Sequence, residues 1–326
     1  MAVRVVEGVV QHYAWGDRAF IPKMLGVAGR GEPWAELWLG THPNGPTTLE
    51  GGAPLRDLSG ELPYLLKVLA AAEPLSLQTH PTAAQAEAGH ASGVFGDPYP
   101  KPELLVALTE FEALCGVRPE AATVALLRSV GAAELADVVE TAGAGEAMRQ
   151  LYRAELSPAT TIAACRSVAD SSDDCAEAAW VRALDDRYPG EASVAVALLL
   201  NHVVLEPGEA IHLTAGNLHG YLNGAGIELM RASDNVVRGG LTVKEVDIDL
   251  LLDTVDPTPL AEPVMNVVDG RYPLPEAGVV LVRLEPGDSH RAVGHELLIA
   301  VDGTSLYLSP GTEVHADSPA YVVTPG

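Results

Sequence analysis

The sequence predicts a mainly β protein interrupted once by a helical insertion, and three observations predict it. Short β-branched runs punctuated by turn residues fill the first part of the chain. From Pro119 to about Val196 alanine, leucine, glutamate and arginine take over, with apolar residues at helical spacing, as in Val124, Leu127 and Val130. At Val203 the β-branched runs and Pro-Gly turns return. The expected division is a discontinuous β unit (1–118 and 200–256), an α-helical insertion (119–199) and a smaller C-terminal β unit (257–326).

Composition narrows the function classes. The 326 residues carry 44 acidic and 20 basic side chains, a net charge of −24, which repels nucleic acid and anionic lipid. No apolar run reaches the length of a membrane span, and Met1-Ala-Val-Arg-Val-Val-Glu7 enters strand-like sequence without a signal-peptide core, so a cytoplasmic protein is expected. Three cysteines without a CxxC pair argue against a disulfide framework or a cysteine zinc module; Cys115, Cys165 and Cys175 read as ordinary buried or half-buried thiols. Composition favours neither monomer nor dimer.

Taken in order, Val3-Arg-Val-Val6, Gly8-Val-Val and Trp38-Leu-Gly40 read as short strands. Trp15 and Trp34 either floor a sugar site or pack a sheet edge. His42, before Pro43-Asn44-Gly45-Pro46, reads as a loop histidine. Leu62 to Ala72 is apolar around the single cation Lys67, which must be paired, snorkel to the surface or reach a cavity.

Ser76-Leu-Gln78-Thr-His80-Pro81 reads as a short strand stopped by proline, with Ser76, Gln78 and His80 on one face. An amide oxygen and an imidazole nitrogen on one wall can grip one ion. A helix is expected from Pro81 to Ala91, with His90 towards solvent. Tyr99-Pro-Lys101-Pro-Glu103 sets a carboxylate beside a cation in a proline-stiffened segment.

In the insertion, Gly143-Ala-Gly145 and Ser171-Ser-Asp-Asp174 mark helix breaks; no catalytic constellation and no nucleotide-binding glycine fingerprint appears, so it reads as a shield over one end of a site. His219 lies in a glycine-bracketed turn, Gly216-Asn-Leu-His219-Gly-Tyr221. Glu228-Leu-Met-Arg231 reads as a strand, Ser233-Asp234-Asn235 as the following turn, and Arg238 and Lys244 as part of a glycine-rich loop, either a polar surface turn or a flap over a ligand. The C-terminal unit repeats Leu205-Glu-Pro-Gly-Glu209 as Leu284-Glu-Pro-Gly-Asp288, but His290 there has no Gln-x-His partner and is expected to be structural. Gln78, His80, Glu103 and His219 together would make a nitrogen–oxygen metal site that suits zinc, iron, manganese, cobalt or nickel.

Six pieces occur in one order: Tyr13-Ala-Trp15-Gly16, Leu62-Pro-Tyr-Leu-Leu-Lys67, Ser76 to Pro81, Lys101-Pro-Glu103, Gly216 to Tyr221, and Glu228-Leu-Met with Ser233 to Lys244. In this they resemble the type I mannose-6-phosphate isomerases, zinc-dependent enzymes of the cupin superfamily. The resemblance implies a cupin-type jelly-roll metal domain and one zinc per chain on Gln78, His80, Glu103 and His219. It also implies interconversion of mannose 6-phosphate and fructose 6-phosphate through an enediolate, feeding activated-mannose synthesis. It places Arg238, Lys101, Glu228 and Asp234 among the catalytic groups, and Trp15, Lys67, Ser76 and Lys244 around the sugar phosphate. Two departures stand out: Pro100 where many relatives have histidine, and Val243 where proline is common. The rival readings are another metal-dependent cupin enzyme and a non-catalytic sugar-phosphate-binding cupin.

Overall fold

A computed structural model describes residues 3–168 and 175–326. The thirteen-residue strand His219–Arg231 organises the β structure. Its C-terminal half pairs antiparallel with Tyr64–Ala71 on one side and Glu103–Ala107 on the other. Its N-terminal half pairs instead with Leu77–Thr79 and Phe111–Val117. The changeover coincides with a register shift between Tyr221 and Asn223 and with Gly224 at φ 115°. A Cβ on Gly224 would lie 2.6 Å from the Glu110 carbonyl oxygen, so only glycine lets the strand bend from one half-sheet into the other. Two half-sheets sharing one bent strand enclose an apolar interior of Leu69, Leu105, Phe111, Leu213 and Tyr221, as in a jelly roll.

Tyr64–Ala71 shows why its sequence does not alternate. Tyr64, Leu66, Val68 and Ala70 pack outward into a second core, whereas Leu69 and Ala71 face the interior of the roll. Both faces are covered, so both are apolar. Lys67 shares the inward parity and is thereby aimed into the roll.

The second core lies between this half-sheet and a seven-stranded sheet ordered Arg271–Leu274, Val279–Leu284, Ala320–Pro325, Glu296–Ala300, Ser305–Leu308, Val3–Glu7 and Thr48–Leu49. The N-terminal strand, placed by the sequence reading with the first β unit, therefore pairs with the C-terminal one, Val3 opposite Leu308. The pairing lies between residues some 300 apart in sequence, which local patterning does not register. The repeated Leu-Glu-Pro-Gly element builds the same turn twice: Glu206 N–H donates to Glu209 Oε2 and Glu285 N–H to Asp288 Oδ2, both at 2.8 Å. His290 bonds Glu296, a fully buried carboxylate also capped by Val293 and Gly294 N–H, which is a structural network.

The helices Glu120–Ser129, Ala133–Tyr152, Pro158–Ser167, Ala176–Arg187 and Ala192–Val196 cover the other half-sheet, with Leu77, Leu114, Leu218, Leu222 and Val237 in the shared core. Gly143 interrupts the long helix with non-helical φ and ψ, at the break expected there; the break expected at Ser171–Asp174 lies outside the described residues. The helix expected from Pro81 runs Ala83–Ser92 instead, because Thr82 and Gln85 form a reciprocal capping box; His90 is exposed. All three cysteines are free, two buried and one half-buried. Among the described residues no helix is long and apolar enough to cross a membrane.

Candidate active site

Four antiparallel strands hold Arg238, Gln78, His219 and Cys115 on one rung, since Gln78 is opposite both Arg238 and His219, and His219 opposite Cys115. A parallel rung on the neighbouring half-sheet carries Trp38, Lys67 and Glu228. Gln78 and Arg238 of the first rung and all three residues of the second border one cavity of about 680 Å³, which Trp15, Ser76, Lys101, Glu103, Asp234 and Lys244 also line.

His219 opens the long strand and is not in the turn expected for it; the turn, Thr214 to Asn217, ends two residues earlier. Arg238 likewise lies within the strand Val237–Gly240, paired with Leu77–Thr79, and only Lys244 is in the following loop. A strand fixes the guanidinium root more firmly than a loop does. Ser76 precedes Leu77–Thr79 and reaches the same cavity as Gln78, as strand parity required.

His80 and His219 are fully buried, and Glu103 is 1% exposed. His80 Nε2 lies 3.3 Å from Glu103 Oε1 and His219 Nε2 3.5 Å from Glu103 Oε2. His80 Nδ1 bonds the Asn235 carbonyl at 2.8 Å and His219 Nδ1 the Asn217 carbonyl at 2.9 Å. A carbonyl only accepts, so each Nδ1 carries the proton and each Nε2 presents a lone pair inward. The ligand atoms of the three residues lie within 4.8 Å of one another, and His80 Nε2, Glu103 Oε2 and His219 Nε2 are buried without a hydrogen-bond partner. Buried orphaned acceptors are costly, and three converging ones fit a cation. Asn235 fixes the His80 ring from outside: its amide donates to the carbonyls of Asp97 and Tyr99 at 2.8 and 2.9 Å.

Burial pushes the His80 imidazolium down to about 4, against the pull of Glu103. Burial opposes the Glu103 carboxylate too, but Lys101 at 2.9 Å and the neighbouring histidines hold it well below its usual value. Both groups are therefore in the ligand form at neutral pH. The sign of the consequence is definite. Between the unfolded His value near 6.5 and the folded value near 4, the unfolded chain binds the more protons, so metal-free protein gains stability as pH rises. Glu103 adds to this below about 4.5, where its stabilising charge is lost. Thermal melts of chelator-treated protein should show a midpoint falling from pH 6.5 to 4, with a shallower fall for His80→Gln. Identical slopes would contradict a buried neutral His80.

The second cluster is centred on Lys67. Its Nζ lies 2.8 Å from Glu228 Oε2 and 3.5 Å from Glu36 Oε1, 5.2 Å from the centre of the Trp38 ring. Tyr221 O–H donates to Glu228 Oε1 and Trp38 Nε1–H to Glu36 Oε2. Burial opposes the lysine charge, but Glu228 and Glu36 together raise its pKa. Glu228 also rises: burial dominates, Lys67 opposes it, and the charges of Glu103 and Glu36 add to the rise. The two directions agree because one lysine serves two buried carboxylates.

Glu36 escaped the sequence reading, although an acid inside Ala35-Glu-Leu-Trp-Leu-Gly40 carries the same signal as Lys67 in its apolar run. His42 lies in a loop after a strand, as expected, and there it is 6% exposed, packs edge-on against Trp38 and lies 3.3 Å from Asp234 Oδ1 on the cavity wall. Asn44 Nδ2 holds the other Asp234 oxygen at 3.2 Å. The tryptophan pair separates: Trp15 stacks on Tyr13 at the cavity, whereas Trp34 packs against the inter-sheet core.

Residues 4–120 match the family described as phosphomannose isomerase type I, catalytic domain. The mannose-6-phosphate isomerase of Salmonella typhimurium is 34% identical, with 82% of this chain and 79% of that protein covered. The Escherichia coli enzyme of the same name is 32% identical over 93% of this chain and 91% of its own. The chain belongs to the type I mannose-6-phosphate isomerase family. Solved structures of the family agree in fold. A mannose 6-phosphate isomerase bound with zinc and yttrium superposes with a TM-score of 0.82 over the full length of both chains at 28% identity. The Salmonella typhimurium enzyme bound to fructose 6-phosphate and zinc gives 0.81, again over both full chains at 28% identity. The family fold is the cupin-type β architecture with helical parts described above.

Proposed function

We propose that this chain is a zinc-dependent isomerase that interconverts mannose 6-phosphate and fructose 6-phosphate, supplying activated-mannose synthesis. The observation that carries it is the trio of orphaned buried atoms on His80, Glu103 and His219, joined through Glu103 to a cavity that also holds a buried carboxylate with a raised pKa. Membership of a family whose relatives bear that name supports the substrate.

Gln78, His80, Glu103 and His219 would hold the metal, and bound zinc supplies Lewis acidity towards a sugar oxygen. Every other part falls to the chain. Aldose–ketose exchange needs a base that moves a proton between C1 and C2, with a pKa brought towards neutrality. Glu228 meets that condition by burial, with Lys67 and Tyr221 fixing its two oxygens. Arg238, whose charge no shift of pKa removes, stabilises the developing oxyanion from the strand beside Gln78. Lys101 holds Glu103 ionised at 2.9 Å, and Asp234, clamped by His42 and Asn44, faces the sugar hydroxyls from the rim. Trp15 offers a flat face to the ring, and Ser76 and Lys244 approach the phosphate. Lys67 is committed to Glu36 and Glu228, so its part is to tune the base and steady the wall behind the phosphate. Pro100 leaves no histidine beside Lys101, so no proton passes through that position. A discontinuous catalytic unit (1–118 and 200–256), helical insertion and C-terminal unit remain the proposed domain division, and a cytoplasmic setting fits the three free cysteines.

The experiment is a coupled assay for fructose 6-phosphate formed from mannose 6-phosphate by zinc-loaded protein. Turnover is the expected result. Absence of turnover on this substrate with metal bound would overturn the reading.

A further inference from the structure

With a net charge of −24 the chain repels a dianion at long range, so a phosphate must be met inside the cavity by cations whose charge is not already cancelled. Lys67 lies between Glu36 and Glu228, and Lys101 is paired with Glu103. Arg238 and Lys244 have no carboxylate at ion-pair distance among the described residues. A fifth cation borders the same cavity from an element in which the sequence shows no chemistry: Arg187, the last residue of the helix Ala176–Arg187.

The insertion is fixed at this place. Tyr152 O–H donates to the Gly239 carbonyl at 2.5 Å, and Leu241 N–H is shared by Glu191 Oε2 and Ser193 Oγ at 3.2 Å each. Gly240, at φ 121°, has room only for hydrogen: a Cβ there would lie 2.3 Å from that of Ser193. The strand that carries Arg238 and the loop that carries Lys244 are thus tied to the helical insertion, of which the helix ending in Arg187 is part. The Glu191 carboxylate is spent on this junction.

Arg187 reaches across to Glu73, on the segment between Lys67 and Ser76, with Nη2 to Oε2 at 2.5 Å. Both side chains are well exposed, 39% and 46%, and an exposed pair of this kind is weak and readily exchanged. A phosphate offers the planar guanidinium two charge-assisted bonds in place of one weak pair.

We infer that Arg187 is a specificity-determining residue that leaves Glu73 to bind the substrate phosphate together with Lys244. The helical insertion then supplies part of the phosphate site and is more than a cover. This rests on the isomerase reading, so the test must separate the two.

Steady-state kinetics on zinc-loaded Arg187→Ala should show KM for mannose 6-phosphate raised about tenfold, with kcat changed by less than about twofold; a tenfold change corresponds to about 1.4 kcal/mol. The inhibition constant of inorganic phosphate should weaken by a similar factor. Arg187→Lys, which keeps charge without the fork, should fall between. Glu73→Gln should act in the opposite sense, tightening phosphate about two- to threefold because Arg187 no longer has to leave a partner. An unchanged KM and phosphate inhibition in Arg187→Ala, with the melting temperature preserved, would overturn the inference. Should the wild type fail to turn over mannose 6-phosphate, the isomerase reading fails alone. Calorimetric titration of inorganic phosphate into wild type and Arg187→Ala then still decides the clamp: weaker binding in the variant sustains it, and equal binding refutes it.

Discussion

Replacing His219 with alanine is expected to lower kcat/KM at least about 100-fold and to remove the bound zinc. Groups that merely orient a metal ligand typically cost about 10–100-fold when changed, and a direct ligand should exceed them. His219 is fully buried, its Nδ1 proton is fixed by the Asn217 carbonyl and its Nε2 has no other partner, so no neighbour can substitute. The fold should survive, because the lost ring leaves Glu103 paired to Lys101. Metal content by elemental analysis, beside kinetics and a melting curve, checks the claim. A variant with full zinc and near-normal rate would remove His219 from the site.

The second large effect is on stability. Lys67→Met should cost about 3–5 kcal/mol, because removing one partner from a buried ionic group strands the others. Here two carboxylates, Glu36 and Glu228, would face each other across an apolar wall at 6% and 3% exposure. Denaturant unfolding measures the loss directly. Adding Glu228→Gln to the Lys67→Met chain should recover part of it by removing one stranded charge. A loss below about 1 kcal/mol would mean that the cluster is not the ionic core described. Catalysis should also fall, since Lys67 holds one Glu228 oxygen at 2.8 Å.

These two residues also show what the sequence discloses and what it does not. Lys67 was conspicuous because a lone cation in an apolar strand requires a partner, but with both faces of the strand apolar its direction stayed open until the fold was seen. The partners Glu36 and Glu228 come from strands 31 and 161 residues away, and only the sheet register brings them beside it, Glu228 directly opposite and Glu36 opposite Leu69. Ser76 and Gln78 could be placed on one face from period two alone, and His80 with them, whereas its neighbour Glu103 depends on how the two half-sheets close. The loop position of His42 was legible from Pro43-Asn44-Gly45-Pro46, but local turn chemistry is all that this run expresses; the Asp234 contact is made through the fold. Arg187 gave no signal, being an arginine at the exposed end of an ordinary helix. The helical insertion, the Pro-Gly turns and the break at Gly143 were legible because composition and backbone constraint are local.

The most direct test of the central claim is the coupled assay for fructose 6-phosphate from mannose 6-phosphate, run on one preparation before chelation, after it, and after zinc is returned. The account predicts turnover that disappears with the metal and is restored by zinc, because the trio of His80, Glu103 and His219 is incomplete without a cation. Turnover that persists in demonstrably metal-free protein would contradict it.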